Sequence, residues 1–348
     1  MAPRRYLIVG AGAVGQPLCA HLVLGGASVA FLVKEKYAAE SKGNALTLEW
    51  LSMLPWGKSL RTTFTQFDVY TSALELKDQA FDAVILTVAS TALRQGEWLK
   101  ELADIVLKPS PTTALVFTTS AMSDLALLES LEIPQNQLVQ GGISFISWQA
   151  PLPDEKFEAV RSAGKSKMLA TVGYVLPSFL LSGPAEHTKP LAEVMNRGKM
   201  PCSILKDVEA EQAFAEAMLM PLLVGLENCD WSFSTMRNSG LLGTTTGAMR
   251  ECLQVAQAEA GPNKLWKFLS FFVVRSWNLY LLSLAAPWVM PFDIQAYLKY
   301  HFCKVGDQTK QYIDDFRRAG EHSEGLNAMP NLAALVGKNW RWKMAKAA

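Results

Sequence analysis

Near the amino end the chain reads Tyr6-Leu-Ile-Val-Gly10-Ala-Gly12-Ala-Val-Gly15, a G-x-G-x-x-G spacing placed directly after a short apolar run. Glycines at that spacing suit one kind of chemistry, the cradling of a pyrophosphate by backbone. Gly10 permits the tight turn, Gly12 lets the chain approach the phosphates, and Gly15 lets the following helix pack close on the strand. Ala11, Ala13 and Val14 complete the turn. The helix that follows has Pro17 in its first turn, where a missing N–H costs nothing, and its positive end faces the phosphates. A second strand, Ser28 to Val33, ends on Lys34. About 20 residues past the glycines, an NAD-binding chain would carry an acidic residue for the ribose hydroxyl. A cation there suits the 2′-phosphate of NADP, although Glu35 is adjacent and strand ends often carry solvated lysines. NADP is the expected cofactor, ahead of NAD.

These residues need a doubly wound sheet to hold them, and the chain supplies its pattern. From residue 6 to about 150, apolar strands alternate with helical stretches. Asp82 to Val88 reads as a buried strand followed by an amphipathic helix up to Leu107, and Ala114 to Phe117 as the next strand. Ligands of such sheets lie outside the carboxyl ends of the strands, so Thr87 to Ser90 and Thr118 to Ser123 are expected to face the nicotinamide end of the cofactor. Leu138 to Ile146, Met168 to Val175 and Cys202 to Val208 read as later strands, with a helix around Lys189 to Arg197. From residue 209 long helical patterns take over, at about 209–230, 245–260, 263–286, 292–304 and 307–319. The expected architecture is α/β: a Rossmann-type domain with a doubly wound parallel sheet over residues 1–208, then an all-helical domain over 209–348. The active site is expected in the cleft between the two.

Composition narrows the function. The 348 residues are 50% apolar with a net charge of +1, which provides neither a basic face for nucleic acid nor an acidic tail. Five scattered cysteines without a C-x-x-C support neither zinc nor a disulfide framework, so a reducing cytoplasm is the expected compartment. No metal site is expected, because His21, His187 and His301 form no pair at ligand spacing. Residues 269–290 are long and apolar enough to span a bilayer, but Arg275 and Asn278 lie inside the stretch and Pro287 interrupts it. A buried helix is expected there and no membrane association. Trp266, Phe268, Phe271, Phe272, Trp277 and Trp288 exceed what one modest helical domain can enclose, which points to a homodimer through these helices.

The glycine turn, the Lys34 region, Val84 to Val88, Leu115 to Ser123, Gly141-Gly142 and Gly320-Glu-His-Ser-Glu324 together resemble the ketopantoate reductase (2-dehydropantoate 2-reductase) family. The resemblance extends over nearly the whole chain and implies an NADP-binding Rossmann domain followed by a helical domain. It places Val88, Ala89 and Ser120 against the cofactor, and several family positions differ there. Ala89 stands where the family has lysine, and Ser120-Ala121 where it has Asn-Gly. Serine donates one hydrogen bond but lacks the second group of the amide. The family's catalytic lysine comes from the first helix of the helical domain, and the matching segment Ala213 to Val224 has none; its counterpart is Glu216. Glu324 matches the family's late glutamate, with an exposed helix-end glutamate as the plain alternative.

The resemblance thus assigns Glu216, Ser120 and Glu324 as catalytic candidates, with His322 and Lys206 as further sources of a proton. It implies an NADP-dependent reductase or dehydrogenase acting on a small carbonyl or 2-hydroxy acid, inefficient on ketopantoate itself. Two other readings remain open: a nucleotide-binding protein without catalysis, and an opine-type dehydrogenase reducing an imine.

Overall fold

A computed structural model describes residues 3–38, 45–54, 57–119, 121–149, 172–261, 268, 270, 272–322 and 328–337. The chain divides into two compact units, Met1–Val208 and Glu209–Ala348.

The first unit opens with β1 (Arg5–Val9), α1 (Gly15–Leu24) and β2 (Ser28–Leu32), followed by β3 (Leu46–Trp50), β4 (Leu60–Phe64) and β5 (Asp68–Tyr70). Next come β6 (Ala83–Leu86), α2 (Ser90–Leu93), α3 (Trp98–Leu102), β7 (Ala114–Phe117) and α4 (Met122–Ser130). It closes with β8 (Leu138–Ile143), β9 (Ile146–Gln149), β10 (Val172–Val175), β11 (Phe179–Ser182), α5 (Ala185–Arg197) and β12 (Cys202–Ile204). Eight of the strands form one sheet in the order β12-β11-β8-β7-β6-β1-β2-β5. All its pairings are parallel except β8 with β11. This is the Rossmann-like sheet that the alternating pattern calls for.

Both faces of the sheet are covered, which explains why its strands are continuously apolar rather than alternating. Tyr6 and Ile8 of β1 join Leu18 and Leu22 of α1 in one core. Leu7 and Val9 join Leu99, Leu102 and Leu128 in the core on the other face.

Three features depart from the sequence reading. β3, β4, β9 and β10 make a second sheet, ordered β4-β3-β10-β9. The expected strand Leu138–Ile146 is therefore two strands in two sheets. Val172–Val175 leaves the main sheet to pair with Leu48–Trp50, while residues 168–171 lie outside the described residues. This second sheet rests on α1: Leu46, Leu48 and Val172 share the core of Leu18 and Leu22. The expected long helix before Leu107 is broken into α2, α3 and a wide turn over Ala103–Leu107.

The second unit is helical: α6 (Val208–Glu227), α7 (Phe233–Asn238), α8 (Leu241–Ala260), α9 (Ser276–Val289), α10 (Ile294–Lys304), α11 (Gly306–His322) and α12 (Pro330–Gly337). Glu251 of α8 anchors α12, accepting from the backbone N–H groups of Asn331 and Leu332 at 3.0 and 2.8 Å. Helix α9 corrects the expectation of a buried segment. Only Leu279 and Ser283 of α9 are buried, whereas Trp277, Leu281, Leu282 and Trp288 are exposed. Its polar side faces inward, where Arg237 donates to the Ser283 carbonyl oxygen at 2.9 Å and Thr246 meets Ser276 at 3.1 Å. Among the described residues no helix is long and apolar enough to cross a membrane.

Candidate functional site

The order of the main sheet reverses beside β1: the chain passes outward through β2 and returns at β6. Ligands of open α/β sheets bind at such a point, outside the carboxyl ends of the strands. Here those ends are Val9-Gly10 and Leu86-Thr87, and the glycine turn lies between them. Gly10 has φ +102°, a conformation that side chains rarely adopt, and its N–H donates to the Leu32 carbonyl at 3.0 Å. Thr87 ties the turn to β6, with its hydroxyl 2.9 Å from the carbonyl oxygens of both Val9 and Gly10. A Cβ on Gly15 would overlap the Gly10 carbonyl, so close packing of helix on strand requires glycine there. A Cβ on Gly12 would meet nothing within 4 Å. The three glycines therefore do three separate jobs, and only Gly12 looks onto open space.

The start of α1 is suited to an anion. It has no side-chain cap and no acidic residue in its first turn, so its first N–H groups lack side-chain acceptors. Ala11, Ala13 and Val14 are half-buried around it. Gln16, fully buried, donates its amide to the Ala11 carbonyl at 2.9 Å. Lys34 stands exposed at the end of β2, with Lys36 two residues on and its amine over the Tyr37 ring. A dinucleotide fits this edge: open space at Gly12, an uncapped helix end, and a cation past β2.

Beyond β6, Val88 and Ala89 are half-buried and Ser90 is buried. Beyond β7, Thr118 donates to the Leu86 carbonyl at 2.8 Å, while the buried Thr119 hydroxyl has no partner among the described residues. Ser120 and Glu324 lie outside the described residues. Asp124 accepts from Ser90 Oγ and Arg94 Nη1, each at 2.6 Å. Sequence reasoning missed Gln16, Asp124 and Arg94, whereas Thr119 falls within the stretch Thr118 to Ser123 expected at that strand end.

The other proton candidates are spread apart in the chain and differ in setting. Glu216 is half-buried on α6, flanked by the buried Phe214, Ala217 and Met220, and α6 contains no lysine or arginine. Lys206 is exposed. His322 is the last residue of α11, and its Nδ1 lies 2.7 Å from the Arg318 carbonyl, as befits a helix end. His301 is stacked on Tyr297 at 5.4 Å, and burial pushes its pKa down to about 4. Among the described residues no group of histidine, cysteine or carboxylate side chains could hold a metal ion.

The sheet, its switch point and the glycine turn define a Rossmann-type dinucleotide fold joined to a helical unit. Residues 6–147 match the family model described as ketopantoate reductase PanE/ApbA. By sequence no curated protein matches. Solved structures resemble it over nearly its full length at low identity. One is 2-dehydropantoate 2-reductase from Methylococcus capsulatus, with 17% identity, TM-score 0.62 and coverage of 96% of this chain and 94% of the other. Another is D-mandelate dehydrogenase with NADH and anilino(oxo)acetate, with 13% identity, TM-score 0.67 and 96% of each chain covered. A third is a dimeric ketopantoate reductase from Staphylococcus aureus, with 12% identity, TM-score 0.62 and 96% of each chain covered. The family and these neighbours are oxidoreductases acting on CH–OH groups.

Proposed function

We propose that this protein is an NADP-dependent oxidoreductase acting on a small carbonyl or 2-hydroxy acid other than ketopantoate. The observation that carries the reading is the glycine turn at the switch point, where Gly12 alone borders open space beside an uncapped helix end. When bound, NADPH supplies a hydride; the substrate carbon takes it and the substrate oxygen takes a proton. With no lysine on α6, Glu216 is the proposed proton donor, standing where the resembled family carries its catalytic lysine. Ser120 is proposed to orient the substrate and Glu324 to assist it. Residues 1–208 would bind the cofactor, and residues 209–348 would supply the acid. The cytoplasm is the proposed location.

The test is cofactor oxidation with a panel of 2-oxo acids, aryl 2-oxo acids included, with and without amino acids. The aryl members follow from the D-mandelate dehydrogenase likeness, and NADH runs beside NADPH because that neighbour holds NADH. Turnover of a 2-oxo acid alone supports the proposal. Turnover only when an amino acid is added would make it an imine reductase instead. Binding without turnover across the panel would favour a nucleotide-binding protein, the reading that the absent lysine supports.

The helical unit is proposed to pair with a second copy through α9. A helix that turns serine and arginine partners inward and Trp277, Tyr280, Leu281, Leu284 and Trp288 outward is built to be covered. Together with Phe272 and Val289 these side chains present on the order of 1,000 Å² of apolar surface, more than an ordinary monomer exposes and enough for one side of a stable interface.

A further inference from the structure

Ser90, Asp124 and Arg94 form a cluster that neither the glycine turn nor the family resemblance accounts for. Ser90 opens α2 just after β6, and Asp124 lies in the first turn of α4 just after β7. The two strands are parallel neighbours, so both helices start on the edge of the sheet where the glycine turn lies. Within the cluster, Oδ1 of Asp124 accepts from Ser90 Oγ and from Arg94 Nη1. Arg94 is itself fixed: Nη1 also reaches the Ser90 carbonyl at 3.0 Å, and Nη2 donates to Ser123 Oγ at 3.0 Å. The second carboxylate oxygen, Oδ2, is covered and accepts nothing from the described residues, on a side chain only 1% exposed.

That asymmetry is informative. An arginine and a carboxylate left to themselves make a two-pronged pair that satisfies both oxygens. Here Arg94 spends its second nitrogen on Ser123, and a buried carboxylate oxygen is left without a donor, which is unfavourable unless something else supplies one. The Thr119 hydroxyl, five residues earlier at the end of β7, is buried without a partner as well.

We propose that Asp124, anchored by Arg94 and Ser90, holds the nicotinamide half of the dinucleotide, with Oδ2 accepting a hydrogen bond from a ribose hydroxyl and Thr119 serving the same ribose. The proposal rests on the nicotinamide-nucleotide reading above. A ribose hydroxyl is the kind of donor that an acidic residue takes up elsewhere in dinucleotide folds. The competing occupant is a water molecule that satisfies Oδ2 without touching the cofactor.

Asp124→Asn separates the two. The amide keeps an oxygen for Ser90 and Arg94 but presents an N–H where Oδ2 accepts. Dissociation constants are measured by titration for NADPH and for adenosine 2′,5′-bisphosphate, which lacks the nicotinamide ribose. The expected result is a loss of about 10- to 100-fold for NADPH, as for one hydrogen bond to a charged group, with the fragment unaffected. Should the variant not fold, Thr119→Val leaves the ion pair intact and carries the same comparison. Unchanged NADPH affinity, or an equal loss for both ligands, overturns the assignment and leaves the cluster a structural tie with water at Oδ2. If the unmodified protein binds NADPH and NADH no better than an unrelated protein does, the functional reading fails with it.

Discussion

The glycine turn gives the sharpest prediction, because two of its glycines should fail in different ways. In Gly12→Val the new side chain grows from a position with nothing within 4 Å, so it takes the space of the pyrophosphate and disturbs little else. The ligand-free variant should be within about 0.5 kcal/mol of the unmodified protein, as for a substitution that makes no clash. It should lose at least two charge-assisted contacts to phosphate, about 1.5–3 kcal/mol each, and hence more than about 100-fold in affinity. Gly15→Ala is the contrast. Its methyl group would overlap the Gly10 carbonyl and lie 2.9 Å from Thr87 Oγ1, so α1 must shift away from β1. An overpacking cost of about 1–3 kcal/mol or more is expected with no ligand present. Thermal unfolding with and without NADPH reads both effects. At about 100 times the dissociation constant, the ligand should stabilise the unmodified protein by about 2.7 kcal/mol, a rise of roughly 5–10 °C for a unit of this size. Gly12→Val should keep the ligand-free Tm and lose the rise; Gly15→Ala should lower the ligand-free Tm. If Gly12→Val showed the full rise, the phosphate reading of the turn would be refuted.

Lys34→Asp should weaken NADPH binding by about 1–3 kcal/mol without weakening NADH, and equal dissociation constants for both cofactors in the unmodified protein would count against NADP. Kinetics with ketopantoate and NADPH should give kcat/KM well below about 10⁵ M⁻¹s⁻¹, and for any substrate found by the panel Glu216→Gln should nearly abolish turnover while NADPH affinity is unchanged. Light scattering should show twice the 38.2 kDa chain mass, and Leu281→Asp with Trp288→Ser should return it to one; a monomeric unmodified protein would refute the α9 interface. Acid should destabilise the fold through His21 and His301. Burial lowers the pKa of His21, and that of His301 to about 4, so below about pH 6.5 the unfolded chain binds protons that the folded one does not. Stability should then fall with pH by up to about 1.4 kcal/mol per unit for each histidine, and urea unfolding of His301→Gln between pH 7 and 5 should show a shallower slope.

The parts that could be read from the sequence are those fixed by local rules. The glycine turn needs a strand before it and a helix after it, and the apolar runs of β1, β6 and β7 admit few partners once both faces are buried. The second sheet was not legible because its pairings depend on distant residues. Leu48 finds Val172 across more than a hundred positions, and β3 to β5 carry no signal as strong as a doubly buried run. Helix α9 misled for a related reason. Its apolar composition suggests that it is covered, but only the inward placing of Ser283 shows which face is left exposed. At the site, Gly10 to Gly15 were legible because backbone chemistry there depends on spacing. Asp124 and Arg94 were not, since a carboxylate and a cation 30 positions apart give no sign that both follow adjacent strands.

Under the proposed reading, the departures from the resembled family at this edge bear on whether the site is worn down or rewritten. Ala89 and Ser120, taken with the lysine-free α6, read as subtraction. A site that had only lost its function would be free to replace buried polar groups by apolar ones of similar volume, which is often neutral or favourable for stability. The observed edge does the opposite: a carboxylate is buried to 1% exposure, one arginine is committed to it, and a serine from the start of each neighbouring helix is bound in. Such an arrangement costs stability relative to apolar packing, and its unsatisfied oxygen adds to that cost. On the proposed reading the edge keeps a cation at Arg94, five residues past Ala89, and an acceptor at Asp124. That argues for a cofactor still held at this edge and for a substrate met by a different acid, which is why the Asp124→Asn and Glu216→Gln measurements belong together. If the first lost NADPH affinity while the second left turnover intact, the cofactor half of the site would stand and the acid would have to be sought elsewhere, at Lys206 or His322.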